Sequence, residues 1–280
     1  MLILYTLRVA ERTKHTHPEA VFRWLIAAAL ILAGGCGEGA VAAADGAASD
    51  ASADSAATVG DPCRDPGTDG ATATCSKPTK EPAYYVEQAN RYFDTLDIDA
   101  DPESVPNYAP QVARWEWPPW LLLTGFSKAT MIQTSKLLKQ GDPSTVPVRD
   151  CRFFPVQPFA RCRVSFSYAG GPCPIYEEFV FNDAGEMTFI EAWSDLPGLV
   201  PTAADDPWGE RTDIGRLSTR VPGLGKPDGA IDLLGAAMQA TAANDPDVAE
   251  FAKRAGDQWK YWGEELANAP KDFFAKGCGW

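Results

Sequence analysis

The chain has two histidines, His15 and His17, and both lie close to its N-terminus. Everything beyond residue 35 must therefore work without imidazole, which excludes a Ser–His–Asp or Cys–His mechanism there. Proton transfer is left to carboxylates and tyrosines. Two stretches of alternating residues carry the best-placed carboxylates. Along "IYEEFVFN", Glu177 shares a face with Ile175, Phe179 and Phe181. Along "EMTFIEAW", Glu191 shares a face with Met187, Phe189 and Trp193. If Phe179 stands opposite Phe189 in the hairpin, Glu177 falls opposite Glu191. Two carboxylates on an apolar face repel, and one can keep its proton near neutral pH, giving an acid/base or ligand-gripping pair. A one-residue bulge would break that pairing. Arg161 and Arg163, on the polar face of the preceding strand, could equally neutralise Glu178 in a structural ion pair.

Other chemistry is weaker. Asp97, Asp99 and Asp101 alternate like the start of a calcium loop. However, Pro102 replaces the required glycine and Tyr108 stands where a bidentate glutamate belongs. A solvated helix-end loop is the better reading. No glycine-rich phosphate loop occurs, and neither a metal nor a cofactor is expected.

The elements that must position these groups are readable from periodicity. In "AYYVEQANRYFDTLD", apolar residues recur at helical spacing, and Pro82 suits the first turn. A short extended piece, "QVARWEW", precedes a proline pair. Gly125 then leads a second helix, "SKATMIQTSKLLKQ", closed by Gly141. From about residue 146 the pattern turns to strands. "RCRVSFSY" puts Cys162, Val164, Phe166 and Tyr168 on one face, and the turns "AGGPCP" and "NDAG" join consecutive antiparallel strands. Residues 201–227 are rich in proline and glycine. Two helices follow, one opened by Asp228 and one carrying Val248, Phe251, Ala252, Ala255, Trp259, Trp262 and Leu266 on a single stripe.

The balance of 25 basic against 38 acidic residues, net -13, argues against nucleic acid as a partner. At the N-terminus, Arg8, Arg12, Lys14 and Arg23 precede the apolar run "WLIAAALILA", which suits a signal peptide better than a membrane span. The stretch "LILAGGC" resembles a bacterial lipoprotein signal, with Ala33 where leucine is more usual. That resemblance implies a signal over residues 1–35 and acylation of Cys36, so the membrane would be a partner through this anchor. Residues 36–80, rich in Ala, Asp, Ser and Gly, read as a disordered tether. Of seven cysteines, removing Cys36 leaves Cys63, Cys75, Cys151, Cys162, Cys173 and Cys278. An even set in an exported chain reads as disulfides whose pairing sequence alone leaves open. Cys278 is expected to staple the C-terminal tail to the sheet.

Three stretches, "ANRYFDTLDIDADPESVPNYAPQVARWEW", "TGFSKATMIQTSKLL" and "IYEEFVFNDAGEMTFIEAWSD", resemble in order and spacing the superfamily of nuclear transport factor 2, ketosteroid isomerase and the SnoaL-like cyclases. The likeness covers about residues 83–200. It implies an α+β cone, a curved antiparallel sheet packed by N-terminal helices, as one domain over residues 81–200. Residues 201–280 would form a linker and a helical extension outside the family pattern. The resemblance puts Trp115, Trp117 and Trp120 around the mouth of a cavity, with Tyr85 and Tyr92 pointing hydroxyls inward. The family's "E-D-P"-like base element corresponds here to "E-W-P", so Trp117 replaces the aspartate and leaves Glu116 one position early. Alternation along "ARWEW" places Glu116 opposite Trp115 and Trp117. Glu116, Glu177 and Glu191 are thus the candidate catalytic residues, and the five aromatic residues the candidate ligand contacts.

The resulting expectation is a lipid-anchored envelope protein that binds a small hydrophobic ligand, or a protein partner, without catalysis. The alternatives are a carboxylate-dependent isomerase, cyclase or hydratase, and a structural body whose tryptophans fill the cavity.

Overall fold

The computed structural model of the chain describes residues 77–117, 123–195, 203, 205–209, 215–224, 229–258, 260 and 278. The signal segment, Cys36, most of the tether, Cys63, Cys75 and Trp120 lie outside the described residues. The first helix, α1 (Pro82–Asp94), starts with proline in its first turn, and buries Tyr85, Ala89, Tyr92 and Phe93 at the spacing its sequence predicts. Strand β1 (Tyr108–Glu116), the two-residue β2 (Gly125–Phe126) and α2 (Lys128–Gly141) follow. Ser127 caps α2, its hydroxyl accepting from the Thr130 amide. Strands β3 (Thr145–Phe153), β4 (Ala160–Tyr168), β5 (Gly171–Phe181) and β6 (Met187–Ser194) then form a meander.

The architecture is α+β, with a six-stranded mixed sheet in the order β2-β1-β6-β5-β4-β3. Only β1 and β6 run parallel among these neighbours. The last hairpin turns at "NDAG", where Gly185 has φ 82°, a left-handed conformation that costs glycine little. Tyr84 of α1 donates its hydroxyl to the Gly185 carbonyl at 2.9 Å and ties the tip to the helix.

The sheet is covered on both sides, so β6 is buried along its whole length. One face, bearing Val112, Cys162, Val164, Phe166, Ile175 and Phe179, packs against α1 and α2. The other face, bearing Ala113, Trp115, Val180 and Phe189, packs against the C-terminal segment. That segment comprises a 3-10 turn (Leu217–Thr219), α3 (Ala236–Ala242) and α4 (Pro246–Gly256). The stripe predicted for α4 is buried at Val248, Phe251 and Ala255 and half-buried at Ala252, while Trp259, Trp262 and Leu266 lie outside the described residues; Asp245 caps the helix. Asp228, the expected cap, lies outside the described residues, and among the described residues after it the expected helix forms over Ala236–Ala242. Its expected first turns are prevented locally: the Asp232 carboxylate accepts the Leu234 amide at 3.1 Å in a turn, and Gly229 sits at φ 60°.

Two disulfides brace the sheet, Cys151–Cys162 between β3 and β4 and Cys173–Cys278 from β5 to the C-terminal tail. The second is the staple expected of Cys278. Such bridges point to an oxidising compartment outside the cytosol.

The acidic loop after α1 has a structural role. Asp97 accepts the Val146 amide at 3.0 Å and the Arg149 guanidinium at 2.8 Å, which joins the helix end to β3. Among the described residues, no group of three or more metal-binding side chains is arranged to hold an ion.

Candidate functional site

Strand parity decides which candidates meet. Along β1 the side chains of Arg114 and Glu116 fall on the helix-covered face, and those of Trp115 and Trp117 on the opposite one, as alternation predicts. The β5–β6 hairpin departs from the expected register. A shift between Val180 and Phe181 puts Phe179 opposite Ile190, Glu177 opposite Ala192 and Glu178 opposite Glu191. Glu177 and Glu191 therefore project from opposite faces, and the expected Glu177–Glu191 pair does not form. One bulged residue is enough to exchange the partners.

Glu177 instead meets β1. The Arg114 guanidinium donates from Nε to the Tyr92 hydroxyl at 2.7 Å and from Nη2 to Glu177 Oε1 at 3.0 Å. Its Nη1 lies 3.0 Å from Glu116 Oε1 and donates to the Leu123 carbonyl at 3.1 Å. Glu116 Oε2 accepts the Leu123 amide at 2.9 Å, so the cluster also pins the chain just before β2. Arg114, Glu116 and Glu177 are all buried, Glu177 completely. A buried arginine between two carboxylates is held by charge and by fork geometry. The second Glu177 oxygen, Oε2, is buried without a hydrogen-bond partner. Burial pushes the Glu177 carboxyl up to about 7, against the opposing pull of Arg114 and with help from Glu116.

These three residues line a cavity of about 50 Å³ between the sheet and the C-terminal end of α2. Its walls are apolar, formed by Leu96, Leu138, Phe166 and Ile175, with Cys173 of the second disulfide among them. Asp142, Ser144 and Tyr168 complete the lining. Burial raises the Asp142 carboxyl as well. Arg114 was not among the candidates read from sequence. Its position two residues before Glu116, on the same side of an alternating strand, is the signal that reveals it.

The expected aromatic contacts lie elsewhere. Trp115 packs edge-on against Trp117 and Phe251 on the far side of the sheet. Neither tryptophan lines the cavity, because each sits one residue out of phase with Glu116. Trp120 lies outside the described residues. Tyr85 is enclosed by Phe153, Phe159 and Phe181, and its hydroxyl accepts the Thr79 and Lys80 amides. Tyr92 is one step from the cavity and acts through Arg114, its phenol pushed up by burial.

On the other face, Glu191 accepts the Leu217 amide at 2.6 Å, the Ser218 amide at 2.9 Å and Trp117 Nε1 at 2.7 Å. Burial pushes its carboxyl up to about 7, while those donors oppose the rise. Glu178 holds the same segment: Arg216 grips it at 2.6 and 2.9 Å, and Arg161 lies at 3.3 Å. The proposed Glu178 ion pair is thus formed by Arg161, whereas Arg163 reaches Asp195 at 3.2 Å. Glu191 is a docking post for the C-terminal layer. Glu191→Ala is expected to cost about 2–3 kcal/mol by orphaning buried donors. Hydrogen exchange at the Leu217 and Ser218 amides should accelerate selectively, and unchanged protection would refute the role.

No family model matches the chain, and no curated protein sequence matches it.

Proposed function

We propose that this is an exported protein, lipid-anchored at Cys36 in a bacterial cell envelope. Its SnoaL-like body would bind a small, mainly apolar molecule bearing one polar group. The observation that carries this reading is the cavity itself, whose apolar walls close on a buried carboxylate with one oxygen unmatched by the protein. An apolar cavity with a few buried polar groups in its lining suits a mainly apolar ligand that carries a single polar group. Kinship with the SnoaL-like superfamily is supported by the order of elements and by a cavity lying between helices and sheet. The anchor is supported by "LILAGGC", and an exported location by the disulfides.

A carboxylate-dependent isomerase, cyclase or hydratase is a second reading, favoured by Glu177 titrating at about 7, where a general base works best. Against it, four donor contacts of Arg114 are already engaged within the protein, leaving it poorly placed to stabilise a substrate oxyanion.

The test is native mass spectrometry of the oxidised full chain taken from the envelope, with organic extraction of what co-purifies. A bound small molecule is expected, and Leu138→Trp, which fills the cavity, should abolish its retention while leaving the disulfides intact. Equal retention by the Leu138→Trp protein would place the ligand elsewhere and refute the reading. Conversion of the extracted compound by wild type, lost in Glu177→Gln, would establish the enzyme instead.

A further inference from the structure

The two edges of the sheet are finished differently. At one, β2 is two residues long, and the Gln258 side chain accepts the Phe126 amide at 2.6 Å and donates to its carbonyl at 3.0 Å. The other edge is β3, nine residues long. Its ladder with β4 decides where its free main-chain groups point. The Phe154 amide donates to the Phe159 carbonyl at 2.9 Å, one step beyond the Phe153–Ala160 pair. Antiparallel pairs alternate between hydrogen-bonded and open ones, so Phe153, Cys151 and Arg149 stand in open pairs. The 4.0 Å between the Cα atoms of Cys151 and Cys162 agrees, because open pairs lie closer together. The amides and carbonyls of Arg149, Cys151 and Phe153 therefore point away from β4. Among the described residues, the loop after α1 covers only the start of this edge, where the Ile98 amide donates to the Ser144 carbonyl at 2.9 Å. Val148 is 50% exposed, and the side chains of Asp150 and Arg152 are 51% and 52% exposed.

We propose that the β3 edge pairs with the β3 edge of a second copy of the chain, antiparallel about a two-fold axis at Cys151, so that two six-stranded sheets continue as one. In this register Arg149 stands opposite Phe153 of the second copy, and Cys151 opposite its counterpart. Each such facing pair exchanges two main-chain hydrogen bonds. The inference is independent of the cavity.

The charged residues between them select the register. Asp150 falls opposite Arg152 of the second copy, and Arg152 opposite Asp150 of the second copy, which favours pairing. Arg152 lies over the Trp208 ring at 4.2 Å and bonds Asp150 of its own strand at 2.7 Å, so both side chains are already held on one face. Moving the axis by one residue sets Asp150 against Asp150 or Arg152 against Arg152, and like charges directly opposite resist pairing. Charges commonly guard an edge against association. These two, of opposite sign and equidistant from Cys151, guard against the neighbouring registers and not against this one. Pro147 has no amide to donate, which ends the ladder beyond Arg149. With Gln258 closing the opposite edge, the two-fold contact completes the assembly at two copies. A strand edge buries less than the roughly 1,200 Å² of a stable interface, so the dimer should be weak and exchange readily.

The experiment is sedimentation velocity of the oxidised full chain over about two decades of concentration. Wild type is expected to pass from monomer to dimer as concentration rises, less readily at high salt, which screens exposed charges. Asp150→Arg and Arg152→Asp, each alone, should weaken self-association by about tenfold or more, since every facing charge pair becomes like-signed. Mixed in equal amounts, the two variants should form a heterodimer as tight as wild type, because every facing pair is again of opposite sign. The chain carrying both changes should likewise associate as wild type does. Both positions are half-exposed, so the variants should keep the wild-type Tm, which checks that they fold. A chain that stays monomeric throughout would overturn the proposal. Dimerisation indifferent to both single reversals would overturn it by placing the contact on another surface. Weakening without rescue in the mixture would overturn the register about Cys151.

Discussion

Arg114→Met is expected to lower stability by about 3–5 kcal/mol, because it strands two buried carboxylates without their counter-charge. For a domain of this size, that corresponds to about 6–20 °C in Tm. Methionine fills most of the volume of the arginine stem, so the loss reports charge and hydrogen bonding rather than a void. The Leu123 carbonyl and Tyr92 hydroxyl lose their donor as well. The deficit should depend on pH with a definite sign. Glu177 already titrates at about 7 when folded, against 4.5 for the ordinary carboxyl, so the native state holds its proton over that window and the unfolded chain does not. Stability contributed by this group is therefore highest below about pH 4.5 and falls as pH rises through 7. Without Arg114 the folded value moves further up, and the loss continues to higher pH. Thermal melts from pH 5 to 8 should show the variant's deficit widening as pH rises. In a Glu177→Gln background the same substitution should cost markedly less, since only one carboxylate remains to be stranded. A deficit independent of pH and of the background would mean that Arg114 acts through packing alone.

The same cluster marks how far the sequence could be read. Parity along "ARWEW" separated Glu116 from the tryptophans, and that separation is what the sheet displays. The likeness to SnoaL-like proteins suggested tryptophans around the cavity, against this parity, and here the period-two rule of a strand prevailed. Parity also grouped Glu177 with Ile175 and Phe179, and Glu191 with Phe189. Pairing those two groups required the hairpin register, which a bulge at Val180 and Phe181 shifts and which no local pattern encodes. Arg114 went unread because an arginine inside a strand suggests a solvated face. The strand is covered on both sides only because residues beyond 200, whose own helical stripe does not say which surface it will cover, fold over the second face. That layer is held by Glu178 and Glu191, and their acceptance of Arg216 and of the Leu217 and Ser218 amides is a tertiary fact. Helix α1 and strand β4 were legible because each buries one face at its own period.

The second large effect concerns the bridge that closes this layer. Cys173–Cys278 spans a sequence separation of 105, and Cys151–Cys162 one of 11. Loop-closure entropy makes the long bridge worth about 5 kcal/mol and the short one about 3 kcal/mol. The structure widens the contrast. Cys151 and Cys162 are opposite residues in the β3–β4 ladder, already held together by strand pairing. Cys278 lies far along the chain from β5 and is buried against it. Replacing both cysteines of each bridge with serine should therefore lower Tm by about 10–20 °C for the long bridge and about 6–12 °C for the short one. Cys173 also belongs to the cavity wall, so loss of the long bridge should weaken ligand retention, while loss of the short one should leave it unchanged. Equal losses of Tm would show that the C-terminal tail docks without its covalent tie. Equal retention would separate the bridge from the cavity it borders.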